Sequence, residues 1–179
     1  MENVSREESC TGLTIVAPRG MRSCGECSAC CLTHEVDSED LYKVAGVWCE
    51  HCTKGQGCSI YSTRPENCKS FACEWLKGAG EDAHRPDRTG VVLDFVKVEG
   101  NLPDGLLQIF EVSEGALTSS FAKQAARQAL MVGVVVLHAH LSGSRIIFVP
   151  ANQPSIMEML EQSGDRELFD IGSLDELET

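Results

Sequence analysis

The sequence predicts an α+β fold made of two unlike parts: an irregular, metal-stabilised cysteine-cluster module, followed by a small antiparallel or mixed sheet with one or two helices. Nine of the ten cysteines lie between Cys24 and Cys73, in a stretch that holds few large apolar residues. Residues 90–150 contain no cysteine. They alternate apolar and polar residues around one helical pattern, in the order β-β-α-β-β.

These patterns divide the chain into four segments. They are an N-terminal segment 1–20, the cysteine-cluster metal-binding module 21–78, an α+β half 90–150, and an acidic C-terminal helix and tail 151–179. The glycines, acids and proline of residues 78–89 indicate a linker between the module and the α+β half. In the first segment, only residues 13–17 have the pattern of a strand.

Two helices are predicted inside the module. Residues 36–46 favour a short helix, because Asp37 or Ser38 can cap its start and Gly46 can end it. A second helical turn is expected at Pro65, since the missing N–H of proline costs nothing in the first turn.

The α+β half has clearer periodicity. Strands are predicted over 91–98, 106–112, 134–140 and 145–149, with a helix over 118–131 that Thr118, Ser119 or Ser120 can cap. The sequence Pro103-Asp104-Gly105 favours a turn between the first two strands. A last helix is expected from Pro154, with a capping box of Ser155 and Glu158. The tail after it either docks on the body or stays mobile, and its mix of acids and apolar residues is also typical of a peptide that binds a protein partner.

The cysteine spacing predicts metal binding. Cys24, Cys27 and Cys30 recur at two-residue intervals, and a C-x2-C turn directs both sulfurs at one ion. This run is similar to half of a bacterial ferredoxin run. Cys31 follows directly, and adjacent side chains of extended backbone point to opposite sides. Cys30 and Cys31 are therefore predicted to serve different centres. The alternatives are buried reduced cysteines or disulfide partners, but scattered core cysteines do not repeat in this way.

The residues around the cysteines resemble a known bacterial family. The motifs are Cys24-Gly-Glu-Cys27-Ser-Ala-Cys30-Cys31, Cys49-Glu-His-Cys52, and the stretch from Gly57-Cys58 through Arg64-Pro65 to Cys68-Lys-Ser-Phe71-Ala-Cys73-Glu-Trp75. Over about residues 21–78 they resemble the CxxCxxCC zinc- or iron-chelating domain, also called the YkgJ-type cysteine-cluster family. Two positions depart from its pattern: Cys52 stands where the family has an apolar residue, and Lys69 where many relatives have Arg.

The resemblance implies metal binding through eight cysteines. These are Cys24, Cys27, Cys30, Cys31, Cys49, Cys58, Cys68 and Cys73. Part of the family also resembles a flagellin lysine methylase, which implies a protein-modifying enzyme as an alternative function. The role of Cys52 stays open.

Eight thiolates could fill two four-cysteine sites, and such sites accept either zinc or an iron–sulfur cluster. The ferredoxin-like spacing slightly favours iron–sulfur, with a distant cysteine such as Cys68 or Cys73 as the fourth ligand. Arg64 is predicted either to offset the thiolate charge or to lie solvated on the surface. Tyr61, Phe71 and Trp75 are expected to pack around the cluster.

Other donors are weighed against simpler roles. His51 is a candidate ligand, since His can replace Cys at zinc or at one iron of a cluster, and His34 is a weaker candidate. His138 and His140 share one side of a predicted strand and would need a third donor, so a partly buried sheet edge is the simpler interpretation. The isolated Cys10 is interpreted as a stray thiol.

Composition restricts the partners. The net charge is −12, which argues against binding a phosphate backbone or an anionic membrane surface. The N-terminus has neither the basic nor the apolar region of a signal peptide, so a cytoplasmic location is expected, where thiols stay reduced. Three functions remain: a redox or metal-binding module, a protein-modifying enzyme, and a structural zinc module whose acidic tail recruits a protein.

Overall fold

A computed structural model describes residues 22–97, 105–162 and 168–178. Cys10, the strand expected at 13–17 and most of the turn expected at 103–105 lie outside these residues. The described residues confirm the predicted α+β class, with a five-stranded mixed sheet and two small two-stranded sheets. None of the helices in these ranges has both the length and the apolar character needed to cross a membrane.

The cysteine-rich module is built from short elements. They are α1 (Cys30–Thr33), β1 (Val36–Asp37), β2 (Tyr42–Lys43), β3 (Cys52–Thr53), β4 (Gly57–Cys58) and α2 (Glu66–Ser70). β1 pairs with β2 and β3 with β4, both antiparallel. The helical turn expected after Pro65 is confirmed, with Pro65 in the N-cap position.

The helix predicted over residues 36–46 is wrong, because this stretch forms the β1–β2 hairpin. Ser38 makes the turn instead of capping a helix: its hydroxyl accepts the Leu41 N–H at 3.2 Å, and its own N–H donates to the Leu41 carbonyl at 3.1 Å. Val36 and Lys43 are buried, whereas Asp37 and Tyr42 are exposed. Buried and exposed residues alternate with the two-residue period of a strand. Ser and Asp favour turns as readily as helix N-caps.

The five-stranded sheet has the order β5–β6–β7–β8–β9. Its strands are β5 (Val91–Val96), β6 (Leu106–Glu111), β7 (Val135–Ala139), β8 (Arg145–Phe148) and β9 (Asp170–Ile171). β6 and β7 are parallel and are connected through α4 (Ser120–Met131). β8 and β9 are also parallel, so the tail docks on the body by adding a strand. The sequence pattern did not predict β9, which is only two residues long.

Both faces of the sheet are covered. One face packs against α4, where Ala122, Ala125, Ala126 and Ala129 are buried and allow the helix to approach closely. Leu177 of the tail joins this core. On the other face, α5 (Pro154–Gln162) covers β7 and β8, and the cysteine module contacts β5 and β6.

The helix starts show which predicted caps are used. α4 begins at Ser120, and the Ser119 hydroxyl accepts the N–H of Ala122 at 3.2 Å. Ser119 is therefore the cap among the three candidates. α5 begins at Pro154, so Ser155 lies inside its first turn rather than at the predicted N-cap.

The free edge of β5 is covered by the end of the module. The Glu74 N–H donates to the Leu93 carbonyl at 2.9 Å, and the Glu74 carboxylate accepts the Phe95 N–H at 3.2 Å. Residues 78–89, predicted as a linker, contain a short helical turn (Asp82–His84) and α3 (Pro86–Thr89). The module is thus joined to the sheet by hydrogen bonds as well as by the chain.

Candidate metal centre

All eight cysteines implied as ligands line a single cavity of about 100 Å³. Val92 of β5 and Pro86 of α3 also line it, so the cavity lies where the module meets the sheet. Its volume exceeds the roughly 10–15 Å³ needed by one water molecule. The ninth described cysteine, Cys52, is not part of the lining.

Short backbone turns bring these cysteines together. The Cys27 N–H donates to the Cys24 carbonyl at 3.0 Å, and the Cys49 N–H donates to the Cys31 carbonyl at 3.0 Å. Gly57 has a φ of +97°, and a Cβ at this position would lie 3.2 Å from the Gly25 carbonyl oxygen. A glycine at this position therefore lets the Cys58 hairpin touch the first cysteine turn.

Backbone N–H groups point at three of the sulfurs. Cys27 accepts from Ala29 and Asp87, and Cys58 accepts from Ile60. Cys73 accepts from Leu76 and Trp75. In each case one donor lies two residues after the cysteine. Such bonds favour the thiolate, which is the form of cysteine that binds a metal.

Burial acts in the opposite direction. It raises the pKa of Cys27, Cys58 and Cys68, and it raises the pKa of Cys73 to about 11. A hydrogen bond with the Cys30 thiol, together with burial, raises the pKa of Cys31. These thiols are therefore protonated at neutral pH unless a cation compensates the thiolate charge, so metal binding at this cavity would release protons.

The sulfurs fall into two neighbourhoods. Cys27 and Cys73 interact with each other and with Cys24. The other neighbourhood consists of five cysteines, namely Cys31, Cys49, Cys52, Cys58 and Cys68, of which Cys52 does not line the cavity. Cys30 joins the two, since it contacts the Cys31 thiol and interacts with Arg64, which also interacts with Cys24.

Cys30 and Cys31 do not point to opposite sides as predicted, because their thiols are hydrogen-bonded to each other. They begin α1, so their backbone is helical rather than extended. Successive side chains in a helix are only about 100° apart, which lets the two neighbouring sulfurs touch.

The donor set fits a soft metal, although the described side chains do not form a closed coordination shell. All nine described cysteines are free thiols. Within residues 22–97, 105–162 and 168–178, no group of three or more His, Cys, Asp or Glu side chains could hold a metal ion as positioned. The thiols thus have the chemistry for zinc or an iron–sulfur cluster, and ligation requires the sulfurs to move toward a common point.

Two cations lie at the cavity. Arg64 stacks on Tyr61, with its guanidinium carbon 3.8 Å from the ring centroid, and it lines the cavity rather than the open surface. Lys43 is buried, and the sequence analysis missed it. One feature of the sequence could have indicated its burial: Lys43 is two residues after Leu41, so in a strand both side chains lie on the inward side.

Three aromatic residues line the cavity as expected, namely Tyr61, Phe71 and Trp75. His34 also lines it, with its ring between Phe71 and Phe110 at centroid distances of 3.8 and 4.7 Å. His51 is outside the lining and pairs with Glu50 at 3.8 Å. Cys52 contacts Cys31 and Ser28, and burial raises its pKa to about 11.

The His138 and His140 pair lies far along the chain from the cysteines, beside Glu111. His140 Nδ1 is 3.8 Å from Glu111 Oε2, but the carboxylate already accepts the N–H groups of Gly115 and Leu141. His138 is buried against Phe148, and burial lowers its pKa to about 4. β7 is the central strand of the five-stranded sheet, so the predicted edge position of this pair is wrong, and a structural role within the sheet accounts for these contacts better than a metal site.

Comparisons of the chain with protein-family models, with curated proteins and with solved structures find no match.

Proposed function

We propose that this chain is a metal-binding protein whose cysteine cluster holds an iron–sulfur cluster or zinc and serves as a redox or metal-binding module. The observation that carries the proposal is the cavity lined by Cys24, Cys27, Cys30, Cys31, Cys49, Cys58, Cys68 and Cys73. The resemblance to the CxxCxxCC family selects the same eight residues. The proposed location is the cytoplasm, where reduced thiols are available to metals.

Iron–sulfur is the slightly favoured occupant. Cys24 and Cys27 belong to the ferredoxin-like run, and Cys73 interacts with both of them. Cys68 interacts instead with Cys31 and Cys49. This grouping supports Cys73 rather than Cys68 as the distant ligand of the run. A bound iron–sulfur cluster would supply one-electron chemistry, whereas zinc would supply structural stability.

The experiment is isolation without oxygen, followed by a visible spectrum and measurement of iron, acid-labile sulfide and zinc. We expect thiolate-to-iron charge-transfer absorption with iron and sulfide in stoichiometric amounts. Zinc in stoichiometric amount, in a colourless protein, would replace the redox proposal with the structural one. Protein that holds neither metal after anaerobic loading would contradict metal binding itself.

A protein-modifying enzyme is the second candidate, and one observation favours it. The cavity lies between the module and the sheet, its walls are mostly apolar, and Arg64 and Asn67 are among its polar lining residues. Ligand sites commonly have this character. Transfer of a labelled methyl group to lysines of a protein substrate, dependent on intact cysteines, would support this candidate.

A further inference from the structure

Lys43 is a buried cation without a carboxylate partner. Its relative exposure is 6%, and it lies on β2 opposite Val36. Nζ donates to the carbonyls of Leu32 at 3.2 Å and Val44 at 3.1 Å, which leaves one of its three N–H groups unassigned. Among the residues that the structure describes, the lysines in ion pairs with carboxylates are Lys69 and Lys77, not Lys43.

Cysteine side chains line the same cavity as Lys43. Burial lowers the pKa of Lys43, and thiolates at four nearby cysteines would raise it, namely Cys49, Cys31, Cys30 and Cys68. Cys49 is buried with Val36 and Leu41, and Cys31 and Cys68 pack against this small cluster. Glu35 also lines the cavity, but it is exposed and forms no ion pair with Lys43.

A buried ammonium is costly when its neighbours are neutral. Protonated thiols carry no charge, so they do not compensate Lys43. Four thiolates around a divalent ion carry a net charge of −2, and thiolates around an iron–sulfur cluster likewise leave the centre negative. An anionic sulfur centre therefore explains why this position holds a lysine where Val36 and Leu41 would favour an apolar residue.

We propose that Lys43 is the counter-charge of an all-thiolate metal centre formed by Cys31, Cys49, Cys58 and Cys68, separate from a centre formed by Cys24, Cys27, Cys30 and Cys73. Cys58 belongs to the first set because it neighbours Cys31, Cys49 and Cys68 and lines the cavity, whereas Cys52 also neighbours Cys31 and Cys49 but does not line it. Cys30 contacts Cys31 and is assigned to the other set by its two-residue spacing from Cys27. The ligand is a soft cation or cluster that leaves the four-thiolate centre negatively charged. This inference rests on the proposed function and adds which thiols act together and which cation stabilises them.

The test compares three variants of the full chain after anaerobic loading with Zn²⁺ alone. Lys43→Met keeps most of the length of the side chain and removes its charge, whereas Lys43→Arg keeps the charge. Lys54→Met is the control, because Lys54 is exposed in the neighbouring hairpin and lies over Trp48. Metal transfer to a chromogenic chelator is measured, with circular dichroism as the check on folding.

We expect wild-type protein to hold two equivalents of zinc. In Lys43→Met, one equivalent should transfer to the chelator about 10–100-fold more readily, the usual effect of losing a residue that supports a metal ligand. The other equivalent should be unchanged. Lys43→Arg should retain most of the wild-type affinity, and Lys54→Met should match wild type.

A measurement on wild-type protein keeps the proposal testable if Lys43→Met does not fold. Lysine acylation is mapped by mass spectrometry in metal-loaded and metal-stripped protein. Lys43 should be acylated less in the loaded protein than in the stripped protein, whereas Lys54, which is exposed, should be acylated equally in both.

The outcomes separate the two proposals. Wild-type protein that binds no metal overturns the proposed function and this inference together. A single zinc equivalent overturns the division into two centres. The role of Lys43 alone is overturned if folded Lys43→Met holds two equivalents of zinc as tightly as wild type does. It is also overturned if Lys43 is acylated equally in loaded and stripped protein.

Discussion

At the scale of single residues, identity alone does not separate cysteines that line the cavity from those that do not. Cys52 is as close in sequence to Cys49 as Cys27 is to Cys24, yet it lies outside the cavity lining. The β3–β4 pairing sets Cys52 opposite Cys58, which does line the cavity. The family resemblance separated Cys52 from the other eight, whereas the two-residue spacing did not.

Serine substitutions should divide the cysteines accordingly. Cys27→Ser and Cys73→Ser should each lower bound metal sharply, because serine replaces a soft thiolate ligand with a hard oxygen. Cys52→Ser and Cys10→Ser should retain metal close to the wild-type amount. Metal per chain is measured by elemental analysis after anaerobic purification. Equal losses from all four variants would contradict the assignment.

His138 should make the protein sensitive to acid. Its pKa is 6.5 in the unfolded chain and about 4 when folded, because of burial and then the neighbouring charge of His140. Between these values the unfolded chain binds more protons, so stability falls as the pH falls through this window and is unaffected by His138 above it. The loss between pH 7 and pH 5 should be about 2 kcal/mol.

The measurement is denaturant unfolding of wild type, His138→Leu and His51→Gln at both pH values. His138→Leu should lose less stability on acidification than wild type, by about the same 2 kcal/mol. His51→Gln is the control, since His51 pairs only with the neighbouring Glu50 among the described residues. Any release of metal in acid affects all three proteins alike. The prediction is therefore contradicted if His138→Leu loses as much stability between pH 7 and pH 5 as wild type does.

At the scale of elements, the sequence predicted long periodic segments well and short ones poorly. β5, β6, α4, β7 and β8 each lie within their predicted ranges, because burial on one or both faces repeats over several residues. Residues 36–46 failed because Ser38 and Gly46 suit both a helix boundary and a turn. β9 has two residues, too few for a period, and depends on pairing with β8 from more than twenty residues away.

The Ser119 cap should have a measurable effect on stability. Ser119→Ala removes the acceptor of the Ala122 N–H and should destabilise the protein by about 1 kcal/mol. Ser119→Asp should restore most of the loss. Ser120→Ala is the matched control, since Ser120 is the first residue of α4 and Ser119 holds the cap. Chemical denaturation measures all three, and an equal loss from Ser120→Ala would contradict this use of Ser119.

Glu74 should fasten the module to the sheet. Glu74→Ala leaves the Phe95 N–H without its acceptor and removes the 2.7 Å ion pair with Lys77. We expect a loss of about 1–3 kcal/mol, as for a buried hydrogen bond that loses one partner. Glu66→Ala is the control, because its pair with Lys69 is exposed. Hydrogen exchange at the Phe95 amide should accelerate in Glu74→Ala alone.

At the scale of the whole molecule, the two parts are stabilised by different means. The sheet packs apolar cores on both faces. The module has only a small core of Val36, Leu41 and Cys49. Such a core stabilises little, so we expect ligation to supply much of the stability of residues 22–78.

Removal of metal should therefore unfold the module and leave the sheet. A strong chelator with reductant should abolish hydrogen-exchange protection at amides such as Cys49 and Cys31, while amides of β6 and α4 stay protected. Circular dichroism should retain the signal of α4. Unchanged protection across the module after complete metal removal would contradict the coupling.

The position of the cavity has a consequence for how the protein is made. A ribosome completes the last cavity cysteine, Cys73, before it makes Val92, which lines the site from the sheet. At 5–20 residues per second, the 19 residues from Cys73 to Val92 take roughly 1–4 s. During that interval the cavity that the thiols line lacks the side formed by the sheet. Delivery of metal to the nascent chain would thus meet a more open site than delivery to the finished protein.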